Sequence, residues 1–557
     1  MRFFIYLFLC LSILGFKSVA TTHSKGRSKD LDEKLKRLKK VKLDASQNAL
    51  KPSEKKVLEK LIEASKIIDL IYLRQVWEGN PKLQEALSKN QTPEGKRLFF
   101  LFKQNMGPWL RLEHDLPFIP GVPNPKPAGA GYYPENMTKA EFESWLKTLS
   151  EKDQISATGF FSVIRRNQEG KLVSIPYSEV YREFLEPASK LLLEASALSE
   201  NSSLKKFLKQ RAEAFLSDNY YDSDVAWMEL DSKIEPTIGP YETYEDGLFN
   251  YKAAFESFIT LRNDAETDAL KKFSAHLQDL ENNLPLEDKY KNKKIGANAP
   301  IRVVDQVFTA GEARRGVATA AFNLPNDEKI TQEMGSKRVM LKNVQQAKFE
   351  SVLLPISKTA LSKRSQAEVA FDPFFTHILM HEVVHGLGPH QIKVGGKETT
   401  VRMQLTDLYA ALEEAKADIT GLYAMKYLMT KKVIDPALAK SMYTTFLASC
   451  FRSVRFGINE AHGKGIALQF NFLSDEGAFV LEPDGSFSVD FSKIESAVSK
   501  LANIILTIQA EGSYEKGKAL LDKYAVIRAP MNRILEKLSQ VPIDVQPYYP
   551  LAGEKDT

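Results

Sequence analysis

Five consecutive residues, His381-Glu382-Val383-Val384-His385, carry the most specific chemistry in this sequence. On a helix, imidazoles at i and i+4 project to one side and can grip a single tetrahedral cation. Glu382 follows the first of them, where it can take a proton from a water that the cation acidifies. Histidine is scarce, 8 in 557 residues, so the coincidence is informative. The surrounding segment, DPFFTHILMHEVVHGLG, is predicted helical: Asp372 can cap it, Pro373 suits its first turn, and Gly386 and Gly388 can stop it. Zinc is the expected cation, and a catalytic zinc keeps three protein ligands and one open position.

The third ligand should come from a neighbouring helix. Residues 406–430 supply a candidate, with an apolar stripe through Leu408, Leu412, Ala415, Ile419 and Leu422. Glu414 and Asp418 lie i, i+4 on one face of it. That pattern is similar to the thermolysin-like zinc peptidases, with Glu414 as ligand and Asp418 holding a ligand imidazole in one tautomer. Glu413 is one residue off that face and is a candidate to orient His385. His377 has the right spacing from His381 but no following Glu, so it is read as a packed or supporting histidine, as is His390. An acidic helix face taken alone is more often solvated; next to the histidine pair it reads as a metal site.

At this point the sequence resembles the dipeptidyl peptidase III family of zinc peptidases, and in particular a shorter branch whose relatives also occur fused behind Nudix domains. Four stretches carry the resemblance: HEVVHGLGPH at 381–390, LEEAKADITGLYA at 412–424, IGPYETYEDGLFNYKAAFE at 238–256, and AAFNLPNDEKITQEMGSKRVMLKNV at 320–344. The resemblance implies that His381, His385 and Glu414 bind one Zn²⁺, with Glu413 and Asp418 behind them. It implies that Tyr244 polarises the scissile carbonyl and that Glu242, Asn323 and Asn326 hold the free amino terminus of a peptide. The strand 316–323 would then pair with the substrate backbone. His462, in NEAHGKG, matches the family's transition-state histidine; a plain loop histidine is the alternative, as a core tyrosine is for Tyr244. The family's full-length members carry a six-residue His-Glu-x-x-Gly-His motif, whereas here the motif has five residues. An arginine expected shortly after His462 has no clear equivalent: Ile466 sits near that position, and Lys464 or Arg455 are the substitutes to consider.

The elements that must position these residues follow from the rest of the chain. Lys+Arg 76 against Asp+Glu 71 gives a net charge of only +5, which argues against a nucleic-acid binder. With 2 Cys there is neither a disulfide framework nor a thiolate zinc ribbon. Residues 1–20 read as a signal peptide: Arg2, an apolar run from Phe3 to Phe16, and Ser18-Val19-Ala20 as a cleavage site, so an exported protein is expected, periplasmic or secreted, with no integral membrane association afterwards. Residues 21–50 read as a basic, flexible arm. Its stretch 24–43 holds nine Lys/Arg against three acids and could contact anionic surfaces weakly.

The fold expected is mostly α with a smaller β part, in two lobes around a cleft. A substrate-side mixed lobe should span 51–350, with 262–300 packing on the other lobe, and a helical zinc lobe 351–540, with 541–557 as a tail. Helices are predicted over 53–90, 179–197, 203–216 and much of 355–455, with others running to about 283, and a helix pair over 490–540. Strands are predicted at 301–309 and 314–324. The proline- and glycine-rich 117–134 should be a loop. The resemblance adds a small β-barrel to the lower lobe. Together these readings describe a zinc exopeptidase that releases dipeptides from peptides with a free N-terminus. The rivals are a zinc hydrolase of other amides or esters, and a non-catalytic envelope-binding protein whose structural zinc His377 or His390 would complete.

Overall fold

The computed structural model describes residues 30–295 and 301–555. The signal peptide read at 1–20, the first nine residues of the basic arm and His23 lie outside the described residues. The elements that matter for the site are, in chain order, strand β1 (Leu38–Lys42), helix α1 (Pro52–Val76), strands β2 (Ile234–Glu242), β3 (Ala254–Arg262), β4 (Ile301–Gly311), β5 (Ala321–Leu324) and β6 (Lys337–Leu341), helices α2 (Phe371–Val384), α3 (Tyr409–Thr430), α4 (Ala461–Asp475) and α5 (Ile494–Glu511), and strand β7 (Asp544–Tyr548). The chain is mostly helical, with the β part concentrated in one sheet.

That sheet has five strands in the order β2-β3-β4-β6-β5. All its neighbours are antiparallel except β4 and β6, which run parallel. Among the described residues the edge strands β2 and β5 are not hydrogen-bonded to each other, so the sheet is open where a small barrel was expected. β2 and β3 were missed and fell in a region read as helical. Both are buried along nearly their whole length, so they lack the polar–apolar alternation that marks a half-exposed strand. The second predicted strand is shorter than expected, Ala321–Leu324, and β6 intervenes between it and β4.

Among the described residues three hydrophobic cores result, a small one around Tyr72, Phe102 and Trp109 and two large ones that flank the sheet. One gathers α1, the helices Arg182–Leu198 and Ser202–Ser217, and one face of the sheet. The other gathers α2 to α5 with Leu280, Leu284 and Leu286. Strands β4 and β6 stand between them. Period-two alternation sends Val303 and Met340 into the helical core and Val304, Val339 and Leu341 into the other. Fully buried side chains of this size each contribute about 1.5–3 kcal/mol. The two large cores are therefore joined through the sheet rather than by a linker.

The basic arm and the C-terminal tail require correction. From residue 30 onward the arm is folded: β1 pairs in parallel with β7, Leu38 facing Asp544, and Leu31, Leu38 and Leu43 are buried. Apolar residues at 31, 38 and 43 among the lysines are what dock it. Asp544 is fully buried and forms an ion pair of 2.6 Å with the buried Lys348. Among the described residues no helix is long and apolar enough to cross a membrane.

Candidate active site

Helix α2 begins two residues earlier than Asp372 suggests, with Ala370 at its cap, and carries His377, His381 and Glu382; His385 closes it. Gly388, at φ +77°, turns the chain away, and any Cβ there would meet Leu506 at 2.8 Å. Helix α3 crosses α2 at Gly421, where an added Cβ would lie 3.4 Å from the backbone nitrogen of His381. This close approach brings the acidic face of α3 under the histidines.

Each imidazole is held by a carboxylate on its Nδ1. His381 Nδ1 donates to Asp418 Oδ1 at 2.8 Å, and His385 Nδ1 donates to Glu413 Oε1 at 2.9 Å. The carboxylates are anchored in turn. Gln469 donates to Asp418 at 3.3 Å, Gln509 donates to Glu413 at 2.9 Å, and the fully buried Lys416 pairs with Glu413 at 2.7 Å. Burial alone would raise the Glu413 carboxyl, but Lys416 and His385 outweigh it and hold it down at about 2. His377 Nε2 is committed to the Asp418 carbonyl at 2.9 Å, and His390 is half-buried beside Lys416, Glu413 and His385.

With both Nδ1 atoms donating, each Nε2 presents a lone pair. The two Nε2 atoms are 3.1 Å apart, and Glu414 Oε2 lies 3.2 Å from one and 3.8 Å from the other. Glu414 Oε2 is buried and has no hydrogen-bond partner. Three acceptors this close repel one another unless a cation sits between them, so the donor set fits a metal ion. His462 Nδ1 is 3.0 Å from the same Glu414 oxygen, and His381, Glu414 and His462 all offer donors within 4.8 Å of one another. His462 differs from His381 and His385 in its exposure: 63% of its side chain is accessible, against 11% and 26%. It stands at the mouth of the donor cluster. An added Cβ at Gly465 on α4 would meet Ala411 O at 3.2 Å and Ala415 N at 3.1 Å, so it is the closeness of α4 to α3 that brings His462 there.

Opposite the helices, the sheet supplies the other wall of a cleft of about 560 Å³. Glu242 ends β2, Tyr244 follows in a turn, Asn323 lies on β5, and Asn326 just after it; all four line the cleft together with His381, Glu382, His385, Glu414 and His462. Tyr244 is 72% exposed, which removes the core-tyrosine alternative, and the neighbouring Glu242 carboxylate raises the pKa of its hydroxyl. Asn326 spends its amide nitrogen on the Tyr241 carbonyl at 3.0 Å. Among the described residues β5 is an edge strand, paired only with β6. Of the two substitutes considered for the absent arginine, Arg455 is used elsewhere, donating to the carbonyls of Leu538, Val541 and Pro542, and Lys464 does not line the cleft. Arg338 on β6 lies close enough to Glu382 to feel its charge. Sequence reasoning also missed Glu256, Glu312 and Arg315 in the cleft wall, and Lys416, Gln469 and Gln509 behind the ligands. Single polar residues inside apolar elements carry no local signal of such roles.

Known proteins resemble this chain along most of its length. The model of Peptidase family M49 matches residues 162–394. A curated protein of Arabidopsis thaliana, Nudix hydrolase 3, is 45% identical over 581 residues, covering 95% of this chain and 75% of that protein. Among solved structures, dipeptidyl peptidase III from Caldithrix abyssi is 46% identical with a TM-score of 0.91, covering 93% of this chain and 98% of that one. Dipeptidyl-peptidase III from Corallococcus sp. strain EGB is 52% identical with a TM-score of 0.81, covering 94% and 97%. Paired imidazoles with a carboxylate between them, a glutamate beside them and an edge strand across the cleft are thus set in a fold shared along nearly the whole chain, which belongs to peptidase family M49, the dipeptidyl peptidase III family of metallopeptidases.

Proposed function

We propose that the protein is a zinc-dependent dipeptidyl peptidase that releases dipeptides from the free N-termini of peptides. The observation that carries this reading is the meeting of His381 Nε2, His385 Nε2 and Glu414 Oε2 within 3.8 Å, with Glu382 lining the same cleft. The edges of a tetrahedron with zinc–nitrogen bonds of about 2.0–2.1 Å are roughly 3.3–3.4 Å, close to the separations found. When bound, zinc supplies Lewis acidity that polarises a carbonyl and lowers the pKa of a water.

The chain's own residues do the rest. Glu382 removes a proton from the attacking water as its oxygen bonds to the carbonyl carbon. As the carbon–nitrogen bond breaks, Glu382 returns that proton to the leaving amine. The Tyr244 hydroxyl donates to the carbonyl oxygen as it gains charge, and His462 stands beside the same centre. Glu242, Asn323 and Asn326 bind the α-ammonium, which sets how far from the N-terminus the cut falls. The free edge of β5 accepts the substrate backbone as an added strand.

The test is a digest of free and N-acetylated peptides of four to eight residues by zinc-loaded protein, read by mass spectrometry. N-terminal dipeptides should appear from the free peptides only, and Glu382→Gln should retain zinc but lose turnover. Equal cleavage of acetylated peptides, or release of single residues, would overturn dipeptide release; full activity of protein holding under a tenth of a zinc per chain would overturn the metal.

A further inference from the structure

The mechanism above leaves three charged groups of the cleft wall unused: Glu256, Glu312 and Arg315. Glu312 follows directly on β4, after Gly311 at φ +67°. A Cβ at Gly311 would collide with the Phe255 carbonyl at 2.1 Å, so only glycine lets the chain turn here. In the sheet register Gly311 lies opposite Glu256 on β3, and Glu242 ends the neighbouring β2, opposite Ala254. Three adjacent strands therefore deliver three carboxylates, Glu242, Glu256 and Glu312, to one end of the cleft.

Glu312 is 7% exposed, and neither of its carboxylate oxygens has a hydrogen-bond partner among the described residues. Arg315 approaches it to 3.3 Å without hydrogen-bond geometry and is spent on the fully buried Glu245, at 2.5 Å, and Arg111 also acts on Glu312 through its charge. Glu245 is further held by Arg111 and Lys126. The end of the cleft is thus short of positive charge. A buried carboxylate with no partner is costly, and such groups occur where a ligand completes them. Burial, partly opposed by Arg315, lifts the Glu312 carboxyl to about 7.

We propose that Glu312 is a further substrate-binding residue, which with Glu242 and Glu256 forms a carboxylate-lined subsite for the protonated amino terminus of the peptide. This rests on the peptidase reading and deepens it: the substrate brings the cation that this end of the sheet lacks. Glu312 would discriminate charged N-termini from blocked or uncharged ones, acting on binding rather than on the chemical step.

The experiment compares a free-amine pentapeptide with its desamino analogue, in which hydrogen replaces the ammonium group. Binding is measured calorimetrically in the zinc-loaded Glu382→Gln background, where no turnover intervenes. Adding Glu312→Gln should weaken the free-amine peptide about tenfold and leave the desamino analogue within twofold. Glu312→Asp, which keeps the charge, should restore at least part of that difference. With Glu382 intact, Glu312→Gln should raise KM for a dipeptidyl naphthylamide and leave kcat within threefold. Equal weakening of both peptides, or of neither, overturns the proposal. So does a Glu312→Asp variant that folds, binds zinc and lacks the discrimination. If the digest yields no dipeptides but amine-dependent binding through Glu312 persists, the dipeptidyl reading fails and this one stands.

Discussion

Replacing Asp418 by Asn leaves the shape of the site intact and removes one charge from it. Asp418 is half-buried, accepts from His381 Nδ1 at 2.8 Å and takes a second bond from Gln469 at 3.3 Å. A carboxylate there can only accept, so His381 must donate from Nδ1 and present a lone pair at Nε2. An amide can offer either end, and the tautomer is no longer enforced. A charge-assisted hydrogen bond is about twice as strong as a neutral one, so its downgrading costs roughly 1–2 kcal/mol, to which the loss of tautomer control adds. Replacing groups that orient metal-ligating histidines typically lowers metal affinity about 10- to 100-fold, which is roughly 1.4–2.7 kcal/mol. We therefore expect the zinc dissociation constant of Asp418→Asn, measured by competition with a fluorescent chelator at constant pH, to rise by that factor. Far-ultraviolet dichroism should be unchanged. At saturating zinc much of the activity should return. A zinc affinity within twofold of the parent protein would refute the argument, since the carboxylate would then be doing nothing for the ligand.

Two further changes test packing rather than ligation. Gly465→Ala places a methyl group 3.1–3.2 Å from the backbone of α3, so α4 must retreat by a few tenths of an ångström and carry His462 with it. Scaled from the roughly hundredfold cost of a 1 Å misplacement, kcat should fall about fivefold with zinc content unchanged, and an unaltered kcat would separate His462 from the reaction. Asp544→Ala leaves Lys348 and Arg452 without their carboxylate and should cost about 3–5 kcal/mol in guanidinium unfolding, whereas Lys348→Met combined with Asp544→Leu should recover part of it, Arg452 still lacking its partner. A double variant no better than the single one would show that the ion pair is not the cause.

What could be read from the sequence was whatever a local spacing determines. His381, Glu382 and His385 declare themselves because four residues make one helical turn, and Glu413, Glu414 and Asp418 because an acidic face interrupts an apolar stripe. Glu242, Tyr244, Asn323 and Asn326 lie far from them along the chain and were placed through family resemblance alone. The sheet that brings them across the cleft was only half seen. β2 carries two prolines and a glycine, and β3 mixes Glu256, Ser257 and Thr260 among apolar residues, so neither shows a clean period-two pattern. Glu312 was invisible for a different reason: its meaning depends on Glu242 and Glu256, which only the register of three strands sets beside it. The basic arm was misjudged because lysines dominate its composition, while three leucines at 31, 38 and 43 decide its place.

The pairing of β1 with β7 has a consequence for how the chain is made. Leu38 meets Asp544, a partner synthesised about five hundred residues later. At translation rates of about 5–20 residues per second, β1 leaves the ribosome on the order of half a minute to two minutes before its partner exists. A strand that waits with open edges invites pairing with the wrong chain. Lys39, Lys40 and Lys42, which looked like a lure for anionic surfaces, charge that waiting edge, so the basic stretch reads best as a guard on the interval between the first strand and the last.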